Sequence, residues 1–171
     1  MDTTCGNQSK ILQTCYFTRS TEGEQFINEH VFSYQIAGTL TVNDGSKTYT
    51  SNEGDFRLSK RNQLAKFEKT PPSNGEFKII SIYLDQETLQ KLSKELNVKA
   101  DKTTEIPDTI ITLKQHPLYK SFVDSLWVYL QLPDEEQREL MDTKIREVVQ
   151  LMLKVNPELK NTLFDFSDPG K

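Results

Sequence analysis

Between residues 29 and 68 the chain alternates apolar and polar positions almost without a break. Phe32, Tyr34, Ile36, Gly38, Leu40 and Val42 share one parity; Ser33, Gln35, Ala37, Thr39 and Thr41 share the other. A period of two with one apolar face predicts a half-buried strand, here a single one over residues 32–42. It stops at Asn43-Asp44-Gly45-Ser46, where Asp-Gly predicts a type I′ hairpin turn. Residues 47–50 return, Asn52 to Asp55 turn again, and Phe56 and Leu58 resume the apolar face. Lys60-Arg61-Asn62 forms the next turn before residues 64–68. Residues 11–19 and the Ile- and Tyr-rich stretch 77–84 complete a set of short strands. Such strands, with a turn roughly every ten residues, predict a small antiparallel sandwich or barrel.

At Asp85 the period becomes helical. Asp85 is a suitable N-cap, Glu87 falls in the first turn, and Leu89, Leu92 and Leu96 mark one face. Residues 98–116 read as a polar linker holding the short apolar segment Ile110-Ile111-x-Leu113. Pro117 opens a helix carrying Leu118, Tyr119, Phe122, Val123, Leu126, Trp127 and Leu130. Pro133-Asp134 breaks it, and Asp134 followed by Gln137 resembles a capping box that starts a long helix to about residue 155. Strands first and helices second give an α+β chain. It divides into an antiparallel barrel with a closing helix (1–97), the linker (98–116) and a helical region (117–171).

The chain has 171 residues and a formal net charge of −4. Its pI of about 5.3 argues against nucleic-acid contact by this segment, since such binders carry a basic face. Lys60, Arg61, Lys66 and Lys69 gather near one turn, which reads as a solvated rim rather than a phosphate site. Cys5 and Cys15 form neither a disulfide framework nor a metal-ligand pair by spacing. No apolar run is long enough for a membrane span and no signal-peptide segment opens the chain. This pattern is that of a cytoplasmic protein without membrane contact. No nucleophile motif or Gly-rich phosphate loop is present, so no catalytic residue and no cofactor is expected.

The residues Tyr34-Gln35-Ile36-x-Gly38 and Gly54-Asp55-Phe56-Arg57-Leu58 resemble the N-terminal domain of AraC-type bacterial transcription regulators. The tail from Val148 through Lys171 resembles the junction that precedes the DNA-binding part. The resemblance covers most of the chain in order of elements. It implies a cupin-like β-barrel followed by a helical hairpin, serving effector sensing or dimerisation. It also implies that DNA is met only through a helix-turn-helix portion beyond Lys171. Two other classes stay open: a metal-free cupin-type enzyme and a protein-binding module without a small-molecule role. Cupin enzymes hold a metal through a histidine-rich set. This chain has only His30 and His116, so no metal site is expected.

Within a small barrel, inward side chains either fill the core or enclose a ligand. The candidates on the apolar parity are Phe32, Tyr34, Ile36, Leu40, Val42, Tyr49, Phe56 and Leu58. A filled core is the simpler reading of them. If a ligand enters, their character suits a small apolar or amphipathic effector; a regulatory protein is the other partner considered. In the long helix, Met141, Ile145, Val148, Met152 and Val155 recur at spacings of four, three, four and three, an a/d seam. With Lys144, Arg146, Glu147 and Lys154 as a polar rim, the seam predicts a homodimer about a two-fold axis. The competing expectation is a helix sunk between two internal layers.

Overall fold

The computed structural model describes residues 3–5, 11–101 and 106–167. Ten strands come first: β1 (Thr3–Cys5), β2 (Leu12–Phe17), β3 (Thr21–Ile27), β4 (His30–Ala37), β5 (Thr39–Asn43), β6 (Thr48–Ser51), β7 (Phe56–Ser59), β8 (Gln63–Thr70), β9 (Phe77–Leu84) and, after helix α1 (Gln86–Leu96), β10 (Ile110–Thr112). Helices α2 (Pro117–Asp124), α3 (Asp134–Val155) and α4 (Lys160–Leu163) follow, with 3₁₀ turns at Trp127–Gln131 and Pro157–Leu159. All strand pairs are antiparallel. One sheet runs β1-β2-β9-β4-β7-β10, the other β3-β8-β5-β6.

The run expected as one strand over residues 32–42 is two strands in two sheets. A bulge after Gln35 shifts the register of β4 against β9, and Gly38 then turns the chain out of the first sheet with φ of 81°. A Cβ at Gly38 would stand 2.6 Å from the Thr70 carbonyl oxygen, so only glycine fits both the conformation and the approach. The corner reverses what parity means. On β4, Phe32, Tyr34 and Ile36 face the helices. On β5, Leu40 and Val42 face the space between the sheets.

Two apolar clusters result. The larger lies between the six-stranded sheet and the helices, built from Leu12, Phe32, Phe56, Leu58, Ile80, Ile82 and Leu84 against residues of α1, α2, α3 and α4. Phe32, Phe56 and Tyr119 form an aromatic knot with ring centroids 5.5–6.3 Å apart, and Tyr34 stacks on Phe56 at 4.6 Å. The smaller cluster, between the sheets, holds Phe17, Leu40, Val42, Phe77, Ile79 and Ile110. Ile110–Thr112 is therefore not linker: it pairs with β7 and closes one edge of the larger sheet.

The helix α1 has the expected cap, Asp85 accepting from the Thr88 N–H at 3.0 Å. Two other local expectations change. Gly45 has φ of 95° but Asp44 stays at negative φ, so the β5–β6 loop is not type I′. Instead the Asp44 carboxylate accepts the N–H groups of Ser46 and Lys47. At α3, Pro133 occupies the cap position with no side-chain cap, and the Gln137 amide donates to the Tyr129 carbonyl. Three acids, Asp134, Glu135 and Glu136, complement the dipole there. Among the described residues no cysteine is free, and the β1–β2 register sets Cys5 opposite Cys15.

The α3 seam is internal. Met141, Ile145, Val148 and Met152 are fully buried within one chain, and Val155 packs against the same cluster. Lys144, expected on a solvated rim, is buried as well; its ammonium bonds the Ser125 hydroxyl at 2.7 Å and Glu147 at 2.6 Å, over the Phe122 ring. The more sequestered of the two expectations for α3 is the one observed, because the sheet needs a cover for its apolar face. Ile145→Glu should accordingly abolish cooperative folding rather than yield a folded monomer, read by circular dichroism. Phe56→Ala should cost about 3–5 kcal/mol in chemical denaturation, as for other buried Phe truncations.

Candidate functional site

Between the sheets lies a cavity of about 450 Å³. Its two walls differ in chemistry. On the larger sheet, Arg57, Ser33, Ser81 and Gln13 are direct register partners across β7, β4, β9 and β2, so four polar side chains form one row. Ser33 and Ser81 share a hydrogen bond of 2.7 Å. Arg57 is 2% exposed and donates to the Gln35 side-chain oxygen at 2.9 Å, while the Gln35 amide is held by the Ala37 carbonyl. Opposite stand Leu40 and Val42 of β5 and Ala65 and Phe67 of β8, an apolar wall. Lys69, register partner of Leu40, projects from that wall with its ammonium over the rings of Phe17 at 4.6 Å and Phe67 at 4.8 Å.

The electrostatics are one-sided. Arg57, Lys60 and Lys69 line the cavity, and Glu29 is the one carboxylate among its described lining residues. Burial lowers Arg57 to about 10, only partly offset by Asp55 and Tyr83, so the guanidinium stays charged at neutral pH. Burial and the nearby Arg57 together lower Lys69 to about 8. Burial also raises Glu29, with Asp85 adding to it. The cavity is thus lined by cations that burial partly removes from solvent, with space beside them.

The candidate pocket residues divide at the Gly38 corner. Leu40 and Val42 line the cavity. Tyr49 packs behind that apolar cluster, its hydroxyl accepting from the Thr109 N–H and donating to Asp44. Phe32, Phe56 and Leu58 face the helices instead and are buried there, with Tyr34 and Ile36 packed against them. Alternation was a sound guide to strands but assigned this face to the wrong side. The polar row was missed because Ser33, Gln35 and Arg57 sit on the parity that a one-sided strand gives to solvent. One signal was available: β9 (FKIISIYL) has no solvated face, and such strands are covered on both sides.

A second, smaller pocket of about 240 Å³ opens between the β7–β8 turn and the C-terminal segment. His30 forms its base, 3% exposed, with Nδ1 accepting the Arg61 backbone N–H at 3.1 Å. The other histidine, His116, caps α2 by accepting from the Leu118 N–H. Among the described residues no three His, Cys, Asp or Glu side chains converge on a point where a metal could sit. No helix there is long and apolar enough to cross a membrane.

Residues 30–162 match the model of the family described as the ExsA N-terminal regulatory domain, and the chain belongs to that family. The AraC-type resemblance carried by Tyr34–Gly38 and Gly54–Leu58 agrees with this. No curated protein matches. In fold the chain is similar to ToxT from Vibrio cholerae, solved in an apo form with a TM-score of 0.62 at 11% identity over 94% of this chain and 61% of ToxT. ToxT bound to an unsaturated fatty acid, from strain SCE256, gives 0.59 at 14% identity over 96% and 60%. The AraC-like transcriptional activator CuxR gives 0.56 at 13% identity over 86% and 54%. The chain spans about three fifths of the length of the ToxT structures it matches.

The buried His30 makes stability pH-dependent. Burial first, then Arg61 and Lys60, lower it from 6.5 to about 4, against smaller opposing effects of Asp165 and the Thr162 carbonyl. Above pH 6.5 the ring is neutral in folded and unfolded chains alike and contributes nothing. As pH falls from 6.5 to about 4 only the unfolded chain takes the proton, which destabilises the fold by up to about 3 kcal/mol. Urea midpoints of wild type and His30→Gln should therefore diverge from their pH 7 difference as acid is added, the wild type losing more. Parallel curves down to pH 4.5 would place the imidazole in water.

Proposed function

We propose that this regulatory domain senses an anionic, amphipathic small molecule in the cavity between its sheets. On this reading it belongs to a dimeric, cytoplasmic transcription regulator that meets DNA through a separate helix-turn-helix part. The observation that carries the reading is the desolvated pair Arg57 and Lys69 facing one cavity with an apolar wall opposite. A buried cation without a close anion is costly, and a carboxylate head would relieve that cost by charge-assisted bonds. Leu40, Val42, Phe67 and Ile79 would take the apolar body. The fatty acid bound by ToxT has this chemistry. Of the apolar and amphipathic effectors that the sequence admits, a purely apolar one would leave the polar row unanswered.

The α3 seam is buried within the chain, so on this reading a homodimer would use other apolar surface. Val128 (63% exposed) and Leu140 (45%) supply it, on the 3₁₀ turn and the outward flank of α3 that the Gln137–Tyr129 bond holds together. Val128→Glu and Leu140→Glu should each shift the sedimentation coefficient to that of a monomer with the dichroism unchanged. Dimers that survive the double variant would refute this face.

Decanoate is a suitable calorimetric probe for the cavity. One molecule should bind per chain, and Lys69→Met should weaken binding by about tenfold or more, the worth of a hydrogen bond to a charged group. An anion raises the Lys69 value, so binding favours the protonated amine. Affinity should hold level below pH 8 and fall as pH rises through it in wild type, with the fall absent in Lys69→Met. Equal affinities of the two proteins, or no binding to either, would reject the sensing role.

A further inference from the structure

The turn between β7 and β8, residues 60–63, is tied to three other parts of the chain. Lys60 N–H donates to the Thr109 carbonyl at 2.9 Å and its ammonium to the Ile106 carbonyl at 2.7 Å, where the chain enters β10. Asn62, at φ of 61°, donates its N–H to the Ile27 carbonyl at 2.7 Å, and the Arg61 N–H is held by His30. These bonds fix the turn against the mouth of the barrel. The third tie runs elsewhere. The Arg61 guanidinium donates to the carbonyls of Asp165 at 3.1 Å and Ser167 at 2.7 Å, in the segment that follows α4. That segment is folded into a small turn of its own, the Asp165 carboxylate accepting both the N–H and the hydroxyl of Ser167.

The same turn touches both of the cavities described above. Lys60 and Gln63 line the cavity between the sheets, and Lys60 to Gln63 line the smaller pocket against Asn161, Thr162, Asp165 and Ser167. A two-carbonyl grip by one guanidinium sets direction as well as proximity, because its N–H groups form a rigid fork. We infer that the Lys60–Gln63 turn is a clasp that fixes the path of the C-terminal segment, with Arg61 as its latch, and that a side chain or ligand filling the cavity beside Gln63 changes the grip. The latch half stands on the bonds alone; the coupling half rests on the cavity being a working site, but not on what occupies it.

The clasp differs from ordinary tail packing in one respect. Leu159, Leu163 and Phe164 bury α4 in the helix-side core without help from Arg61, and Phe166 packs against the same core, so losing the latch should loosen residues 165–167 without fully releasing them and leave the domain folded.

Hydrogen exchange on the 171-residue chain tests both halves. In Arg61→Gln, peptides covering residues 164–167 should exchange at least about tenfold faster, the scale of one lost charge-assisted hydrogen bond, with β4 and β9 peptides unchanged. Unaltered exchange at 164–167 would overturn the latch. If that variant does not fold, Arg61→Lys, which keeps the charge and loses the fork, takes its place with a smaller increase expected. For the coupling, Ala65→Phe fills the cavity one step along β8 from Gln63 and needs no ligand; Ala65→Leu serves if the larger ring prevents folding. Filling should alter exchange at 164–167 when Arg61 is present and not in the Arg61→Gln background. A filled cavity without effect at 164–167, or with equal effect in both backgrounds, would overturn the coupling. The decanoate titration reports on the sensing role separately, since it reads binding and not the tail.

Discussion

The architecture depends on one close approach, that of the Gly38 backbone to the Thr70 carbonyl at the corner between the sheets. Only a residue without a side chain can take that path with φ of 81°. Because the chain changes sheet there, a single unbroken alternation delivers aromatic side chains to the helix layer before the corner and aliphatic ones to the cavity after it. The larger sheet is therefore covered on both sides, by helices on one and by its partner sheet on the other. Its helix side is almost wholly apolar, and its cavity side carries the row Arg57, Ser33, Ser81 and Gln13.

How much of this could be read from the residues follows from which forces are local. Strand periodicity, the Asp85 cap, Pro117 at the start of α2 and the change from strands to helices are set within a few residues, and each was legible. So was the resemblance carried by Gly54–Leu58. What failed was the assignment of sides. Period-two alternation says that two faces differ, not which one meets water, and the Gly38 corner exchanges them partway. The α3 seam failed similarly. Spacings of three and four mark a buried stripe whether the cover is a second chain or the same chain's sheet. The polar row was invisible because Ser, Gln and Arg on a strand read as solvated, and only the register across four strands shows them as neighbours. The β5–β6 loop departed for a local reason, the Asp44 carboxylate capturing two N–H groups that a tighter turn would leave elsewhere.

Charge placed inside a fold tends to reduce stability, and here it is placed twice. Lys144 is matched by Ser125, Glu147 and the face of Phe122, so it serves as a bolt between α2 and α3. Arg57 and Lys69 have a thinner complement: a neutral amide for one, ring faces for the other. Departures from stabilising design concentrate at sites of function. By that measure the cavity between Arg57 of β7 and Lys69 of β8 is the strongest candidate site in the domain, and the basic residues around the β7–β8 turn separate into distinct parts. Lys69 belongs to the interior, Lys60 and Arg61 to the clasp.

The depressed Lys69 has a consequence for reactivity. An amine lowered to about 8 is half unprotonated at a pH where ordinary lysines are almost entirely ammonium. Only the free base is a nucleophile. Mildly alkaline treatment with a small acylating reagent would therefore favour this side chain wherever the reagent can enter the cavity. Anything seated against the ammonium would shield it twice, by blocking approach and by restoring its proton. The same burial that lowers Lys69 would thus make occupancy of the cavity legible as a pattern of chemical modification.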